Sequence, residues 1–316
     1  MSLNIVFMGT PEFATQPLRD LSQSEHSVTA VVTGPDAQSG RGRKLRPTPV
    51  KEVAMGLNLP VLTPVSLRAP EFVKELSGIA ADVFVVVAFR ILPRVVYSMP
   101  EFGSVNLHGS LLPRYRGAAP IQRALMNGET TTGLTVFSLA DKVDTGRIIL
   151  QKEMAILPED TFTTLAQRMS AQSGPALIEA LDLLESGNVE FKEQDNALAT
   201  SAPKITPADC VIDWNASANS IVNQIRGLSE TPGAFTFWRG KRLKALAARV
   251  CDSTVSLVAG EIALEGKRIC VGAGDGAALE LLTLQPEGKK KMSAVDLVNG
   301  QFLRNGERLA AGVEAV

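Results

Sequence analysis

Val83-Phe84-Val85-Val86-Val87-Ala88 is an unbroken apolar run that passes into Phe89-Arg90. A strand with one wet face alternates apolar and polar residues. A run without alternation belongs to a strand covered on both faces, as in a parallel sheet packed between helices. Residues 5–8, 28–32 and 105–107 have the same character. Between these runs, residues 13–21, 50–57 and 70–76 carry apolar side chains at helical spacing. Proline stands near several of the starts, where a first turn tolerates it. This βαβα order predicts an α/β fold with a Rossmann-like, doubly wound, mostly parallel sheet. Sheets of that kind bind ligands beyond the carboxyl ends of their strands.

The last of these runs leads into the candidate site. Phe102-Gly103-Ser104-Val105 is followed by Asn106-Leu107-His108-Gly109-Ser110-Leu111-Leu112-Pro113, which holds one of only two histidines in the chain. Residues i and i+2 of a strand face one side, so Asn106 and His108 can address one spot. Asp144 follows in the turn-like Asp144-Thr145-Gly146. An amide donor, a titratable ring and a carboxylate suit acyl transfer. In this reading Asp144 raises the pKa of the His108 ring and sets its tautomer. On spacing alone, a capped turn with a satisfied histidine accounts for the same residues.

The literal strings say more. Asn106 to Pro120, NLHGSLLPRYRGAAP, resembles the active-site segment of the folate-dependent formyltransferases. Phe7-Met8-Gly9-Thr10-Pro11-Glu12-Phe13-Ala14 and Gly40-Arg41-Gly42-Arg43-Lys44-Leu45-Arg46-Pro47-Thr48-Pro49-Val50-Lys51 match the same family in order. So do Ala202-Pro203-Lys204-Ile205, Asp213-Trp214 and Pro232-Gly233-Ala234-Phe235-Thr236. Several regions matched in sequence order are far more specific than one short motif.

The resemblance implies transfer of a formyl group from 10-formyltetrahydrofolate, as co-substrate, to the methionine α-amine of initiator methionyl-tRNA. It implies catalytic roles for Asn106, His108 and Asp144, and no metal. It implies folate contacts at Ser110, Leu111, Leu112 and Pro113, with Phe89 and Arg90 flanking the pteridine. The chain departs from the family pattern at several places. Ala88-Phe89-Arg90 replaces a usual Ala-Tyr-Gly, and Arg90 either narrows the pocket or meets the folate's glutamate tail. Gly109, Tyr115 and Asp141-Lys142-Val143 also differ from the usual residues, while Asp144-Thr145-Gly146 is intact.

Between Gly34 and Pro49, Arg41, Arg43, Lys44 and Arg46 face one acid, Asp36. Glycines and prolines predict a flexible, non-helical loop there. Its cations are either simply solvated or contacts for phosphate. The resemblance implies contact with the tRNA acceptor end, Arg41 standing at the critical position. Arg239, Lys241, Arg242 and Lys244 form a second basic cluster and Lys289-Lys290-Lys291 a third. Each is either a solvated strand edge or an RNA contact.

Residues 163–184 predict a long helix, with Gly187 where a C-cap is expected. The polar stretch after it predicts an exposed linker. Beyond it, strand-like runs at 234–238, 243–247, 255–258, 268–271 and 278–284 predict a small β-barrel or sandwich. We take the barrel, OB-like, as the expectation. The domains expected are 1–188 (catalytic), 189–207 (linker) and 208–316 (a tRNA-binding β-barrel). Gly272-Ala273-Gly274-Asp275-Gly276-Ala277 fits a loose dinucleotide fingerprint, but it lies among strand-like runs and predicts a hairpin turn.

Bulk composition is that of an ordinary globular chain: 316 residues, formal net charge -1 and 45% hydrophobic residues. Any RNA contact must therefore come from local patches. The three cysteines form no CxxC pair, which argues against a disulfide framework or zinc site and for a reducing cytosol. No signal peptide is expected from the first residues, and the longest apolar run is too short for a bilayer. The expectation is a cytoplasmic monomer without membrane contact. The competing readings are a formyltransferase for a small amine such as a sugar nucleotide, a formyltetrahydrofolate hydrolase, and a non-catalytic RNA-binding module.

Overall fold

A computed structural model describes residues 2–39, 44–252 and 256–312. Compact packing divides them into two units. The first comprises residues 1–120, 131–155 and 166–202, and the second residues 121–130, 156–165 and 203–316.

The first unit is built on seven strands, in the sheet order β5-β2-β1-β6-β7-β8-β9. These are β1 (Asn4–Gly9), β2 (Ser27–Val32), β5 (Val61–Leu62), β6 (Val83–Val87), β7 (Ser104–His108), β8 (Thr131–Ser138) and β9 (Ile148–Ala155). Two short strands, β3 (Ala37–Ser39) and β4 (Lys44–Arg46), pair antiparallel outside it. The pairings from β5 to β7 are parallel, and β7–β8 and β8–β9 are antiparallel. Every residue of β6 is buried, which is why its sequence does not alternate. The helices α1 (Thr15–Ser22), α2 (Pro49–Gly56) and α3 (Pro70–Ser77) fall where helical spacing predicted them. At α2 the Thr48 hydroxyl accepts from the Lys51 amide at 3.1 Å, and Pro49 occupies the first turn, where no amide is needed.

The chain runs outward from β1 to β2 and β5, then returns to β6 on the other side of β1. The order therefore reverses between β1 and β6, the place where sheets of this kind open a crevice. In register, Gly9 pairs with Val87 and Val87 with Leu107. The carboxyl ends of three parallel strands thus lie level, with Asn106 and His108 on either side of Leu107.

Within the stretch from Gly34 to Pro49, the described residues on either side of positions 40–43 pair with one another, where a loop was expected. Ala37–Ser39 and Lys44–Arg46 form an antiparallel ladder, and Arg46 is exposed. Arg41 and Arg43 lie outside the described residues.

The second unit is an antiparallel sheet in the order β10-β11-β14-β13-β12, with β15 beside β14. Its strands are β10 (Ala234–Trp238), β11 (Lys241–Cys251), β12 (Ile262–Glu265), β13 (Arg268–Gly272), β14 (Ala278–Pro286) and β15 (Met292–Ser293). Residues 306–310 bond to both edges. Phe237 and Ala310 exchange amide–carbonyl bonds at 2.9 and 3.0 Å. The Ile262 amide donates to Glu307 and the Leu309 amide to Gly260. This crossing segment closes the sheet into a barrel. The strand expected at 255–258 is not formed: Ser256 to Val258 is irregular, and Val255 lies outside the described residues. Gly272 and Ala278 pair across the turn between β13 and β14, so the fingerprint-like string is a hairpin connection.

Candidate active site

His108 ends β7, opposite Thr135 of β8. Its ring is 6% exposed, and Phe137 stands edge-on at a centroid distance of 6.5 Å. Nε2 lies 2.8 Å from the Tyr115 carbonyl oxygen. A carbonyl only accepts, so Nε2 carries the proton and the neutral ring keeps its lone pair on Nδ1. Nδ1 faces Asp144 Oδ2 at 3.8 Å. The tautomer is thus set by Tyr115 rather than by the carboxylate. The ring's pKa is held below the ordinary 6.5. Burial is the largest influence and lowers it, while Asp144 and the Tyr115 bond act upward more weakly. The expectation that Asp144 raises the pKa describes that contact alone; desolvation outweighs it.

Asp144 occupies left-handed backbone, φ 54°, in the turn after β8. The Gly117 amide donates to its Oδ2 at 2.8 Å. Gly146 is the only residue type that fits two positions on, because a Cβ there would lie 1.6 Å from the Ser138 carbonyl oxygen. Upstream in the same loop, Asp141 accepts from the Tyr97 hydroxyl at 2.5 Å and lies 3.7 Å from Arg94; both belong to α4 (Arg94–Tyr97). The Asn106 side-chain amide is half-buried and has no hydrogen-bond partner among the described residues.

The segment after His108 is pinned through Thr135. Its buried hydroxyl donates to the Ser110 carbonyl at 2.7 Å and accepts from the Leu112 amide at 3.1 Å. The Gln151 side-chain Nε2 donates to the Leu112 carbonyl at 2.9 Å. The Ser110 hydroxyl turns to the Arg114 carbonyl at 2.6 Å. Leu111, Leu112 and Pro113 line one wall of a groove of about 560 Å³. Arg90 is half-buried, its Nη atoms donating to the carbonyls of Pro64 and Val65 at 2.9 and 3.0 Å, and its guanidinium stacks on Phe89.

The second basic cluster is divided. Arg239 is ion-paired with Glu307 and stacked on Trp238, and Lys244 donates to the Pro232 carbonyl at 2.6 Å. Lys241 and Arg242 are exposed, the latter over the Phe235 ring.

The sequence reading passed over three contributors: the Tyr115 carbonyl, Thr135 and Gln194. Gln194 is buried within a stretch that reads as polar linker. No local pattern distinguishes a backbone carbonyl or a lone glutamine. Only the contact shows them.

A doubly wound sheet with a titratable pair at its carboxyl edge, followed by an antiparallel barrel, defines a two-unit α/β class with a crevice site. Residues 3–181 match the family described as formyl transferase, and residues 204–301 match the formyl transferase C-terminal domain. The chain belongs to the formyl transferase family. It is 44% identical over 307 residues to a methionyl-tRNA formyltransferase of Koribacter versatilis, covering 96% of this chain and 98% of that one. It is 43% identical to the protein of the same name from Moorella thermoacetica, covering 97% and 99%. Among solved structures, an N-formyltransferase from Helicobacter canadensis in complex with folinic acid and dTDP-3-aminofucose aligns with TM-score 0.67 at 18% identity. That alignment covers 90% of this chain and 100% of the other. HypX from Aquifex aeolicus in complex with tetrahydrofolic acid aligns with TM-score 0.66 at 17% identity, over 98% of this chain and 49% of HypX. At such identities these two likenesses speak to the fold.

Proposed function

We propose that this chain transfers the formyl group of 10-formyltetrahydrofolate to the methionine α-amine of initiator methionyl-tRNA, for translation initiation in the cytoplasm. The observation that carries the reading is end-to-end similarity to proteins named methionyl-tRNA formyltransferase, in a chain with Asn106, His108 and Asp144 at the carboxyl edge of its sheet.

The folate supplies a formyl group already bonded to a nitrogen leaving group. The attacking amine must lose a proton, and negative charge grows on the formyl oxygen. The Asn106 amide donates to that oxygen. His108, neutral at pH 7, takes the amine proton at Nδ1. The charged ring then sits between the Asp144 carboxylate and the Tyr115 carbonyl, both of which favour it. As the tetrahedral intermediate collapses, the bond from the formyl carbon to the folate nitrogen breaks and that nitrogen takes up the proton from His108, directly or through water. The residues suit a folate: the Asn106 amide is unsatisfied, and Ile91 and Val143 expose apolar surface next to Arg90 and Asp144 in the chain. Ser110 to Pro113 contact the folate, and Phe89 flanks the ring. Arg90 acts by bracing residues 64–65 through their carbonyls while it stacks on Phe89.

Residues 1–188 carry the reacting groups, 189–207 join the two domains, and 208–316 bind tRNA. Arg41, Arg43, Lys44 and Arg46 contact the acceptor end, and Lys241 and Arg242 contact phosphates elsewhere. Formyl transfer from 10-formyltetrahydrofolate should be assayed on charged initiator tRNA, with uncharged tRNA and an amino-sugar nucleotide as controls. Formylation of the charged tRNA alone is expected. Folate consumption without tRNA formylation overturns the reading.

A further inference from the structure

Gln194 lies between residues 181 and 204, outside both matched family regions, yet it is buried and all of its polar capacity is engaged. Its side-chain Nε2 donates to the Asp144 carbonyl at 3.0 Å and to the Gly146 carbonyl at 2.8 Å. Its Oε1 accepts from Arg116 Nε at 3.0 Å and Nη2 at 2.7 Å, and Arg116 Nη1 donates to Asn196 at 2.9 Å. The backbone repeats the link. The Arg116 amide donates to the Thr200 carbonyl at 2.8 Å, and the Ala202 amide to the Arg116 carbonyl at 2.6 Å. The Tyr115 amide donates to the Thr200 hydroxyl at 2.8 Å.

Both groups that hold the His108 ring therefore rest on this one stretch of chain. Tyr115, whose carbonyl accepts from Nε2, is fixed by Thr200. The turn that presents Asp144 to Nδ1, a non-glycine residue in left-handed backbone, is fixed by Gln194. Such backbone persists only where its surroundings over-determine it.

We propose that Gln194, with Arg116 as its support, is a positioning residue that holds the Asp144 turn against the His108 ring, so that residues 194–202 complete the active site. The role deepens the formyl-transfer reading and rests on it for its consequence in catalysis, but its geometry is testable without turnover. A fragment ending at residue 188 lacks this brace.

The chain has two histidines, so their imidazole nitrogens can be followed by 15N NMR in the full-length protein, with His26→Gln to assign the signals. Asp144→Asn measures how strongly the carboxylate acts on the His108 titration. In wild type it should move that titration clearly; in Gln194→Leu the same substitution should move it little, because the turn no longer holds the carboxylate in place. This non-additivity isolates the contact. Where Gln194→Leu does not fold, Gln194→Asn keeps the amide but is one methylene too short to span both sides, and the same loss of coupling is expected. Equal displacement by Asp144→Asn in both backgrounds overturns the inference. Turnover separates the two readings. A wild type that formylates charged tRNA, with folded Gln194 variants at unchanged kcat, sinks the brace alone. A wild type that consumes folate without formylating tRNA sinks the substrate reading, and the NMR coupling still decides the brace. The folded variants should lose kcat by about 10-fold or more with KM for tRNA unchanged, as expected of a displaced acid–base group.

Discussion

A buried imidazole beside a carboxylate is pulled two ways: loss of water disfavours the cation and the anion favours it. At His108 loss of water prevails. The acid limb of kcat/KM should therefore have its midpoint below pH 6.5, and a midpoint above 6.5 would contradict a neutral buried base. The stability effect has a definite sign. The unfolded chain takes up a proton at the ordinary histidine pKa, whereas the folded chain does so only at a lower pH. Stability from burying the neutral ring is thus complete above about pH 6.5 and declines as pH falls toward the depressed folded value. Denaturant melts at pH 7.5 and 5.5 should show that decline, and His108→Gln should reduce it. His108→Ala and Asp144→Ala should each lower formyl transfer by at least roughly 10²-fold; full turnover in either would remove the mechanism.

Two turns carry the site, and each depends on a glycine for a steric reason. A Cβ at Gly117, where φ is 131°, would meet the Ala202 carbonyl oxygen at 2.5 Å. The Gly117 amide is also a donor to Asp144. Gly117→Ala should cost about 1–3 kcal/mol from backbone strain alone. It should also lower activity beyond that loss, which chemical denaturation and the fraction of active protein can separate. Gly266 also has positive φ, but a Cβ there would meet nothing within 4 Å. Gly266→Ala should leave turnover unchanged with only a modest loss of stability. Of the two stretches expected to be connections, the described parts of 34–49 pair in a ladder between β3 and β4 that such short strands do not announce. The GxGxxA-like string stayed a turn, because the antiparallel partners on either side leave no helix for it to open.

In the second unit, barrel closure depends on residues 306–310, which carry neither a long apolar run nor strict alternation. Ending the chain after Asn305 removes the bonds to Phe237, Gly260 and Ile262 and opens the sheet. Calorimetry should show the transition of this unit shifted to lower temperature or lost. The cations at 239–244 separate into two that are ion-paired or hydrogen-bonded, Arg239 and Lys244, and two that are solvent-exposed, Lys241 and Arg242. Lys241→Ala with Arg242→Ala should lower the salt slope of tRNA binding by roughly 2, about one for each phosphate contact. Arg239→Ala leaves Glu307 without its ion-pair partner and should reduce stability while leaving that slope unchanged. Loss of Arg41 should weaken tRNA binding and raise KM for the tRNA. A KM insensitive to salt would count against a role for this basic stretch in RNA contact.

Burial on two faces, the alternation of strand and helix, and the strings around Asn106 and Asp144 were legible because each is a local property of consecutive residues. Periodicity sufficed for β1, β2, β6 and β7 and for α1 to α3, and the i, i+2 rule put Asn106 and His108 on one side of a strand end. The tertiary structure alone decided which way the His108 pKa moves, because desolvation depends on what surrounds the ring and not on its neighbours in sequence. It also decided that Tyr115 sets the tautomer, that Gln194 is buried in a stretch whose composition reads as solvated, and that two of four cations at 239–244 are already ion-paired or hydrogen-bonded. Each of these is a contact between residues far apart in the chain. A polar side chain carries no mark of whether its partner is water or a distant carbonyl until the chain has folded.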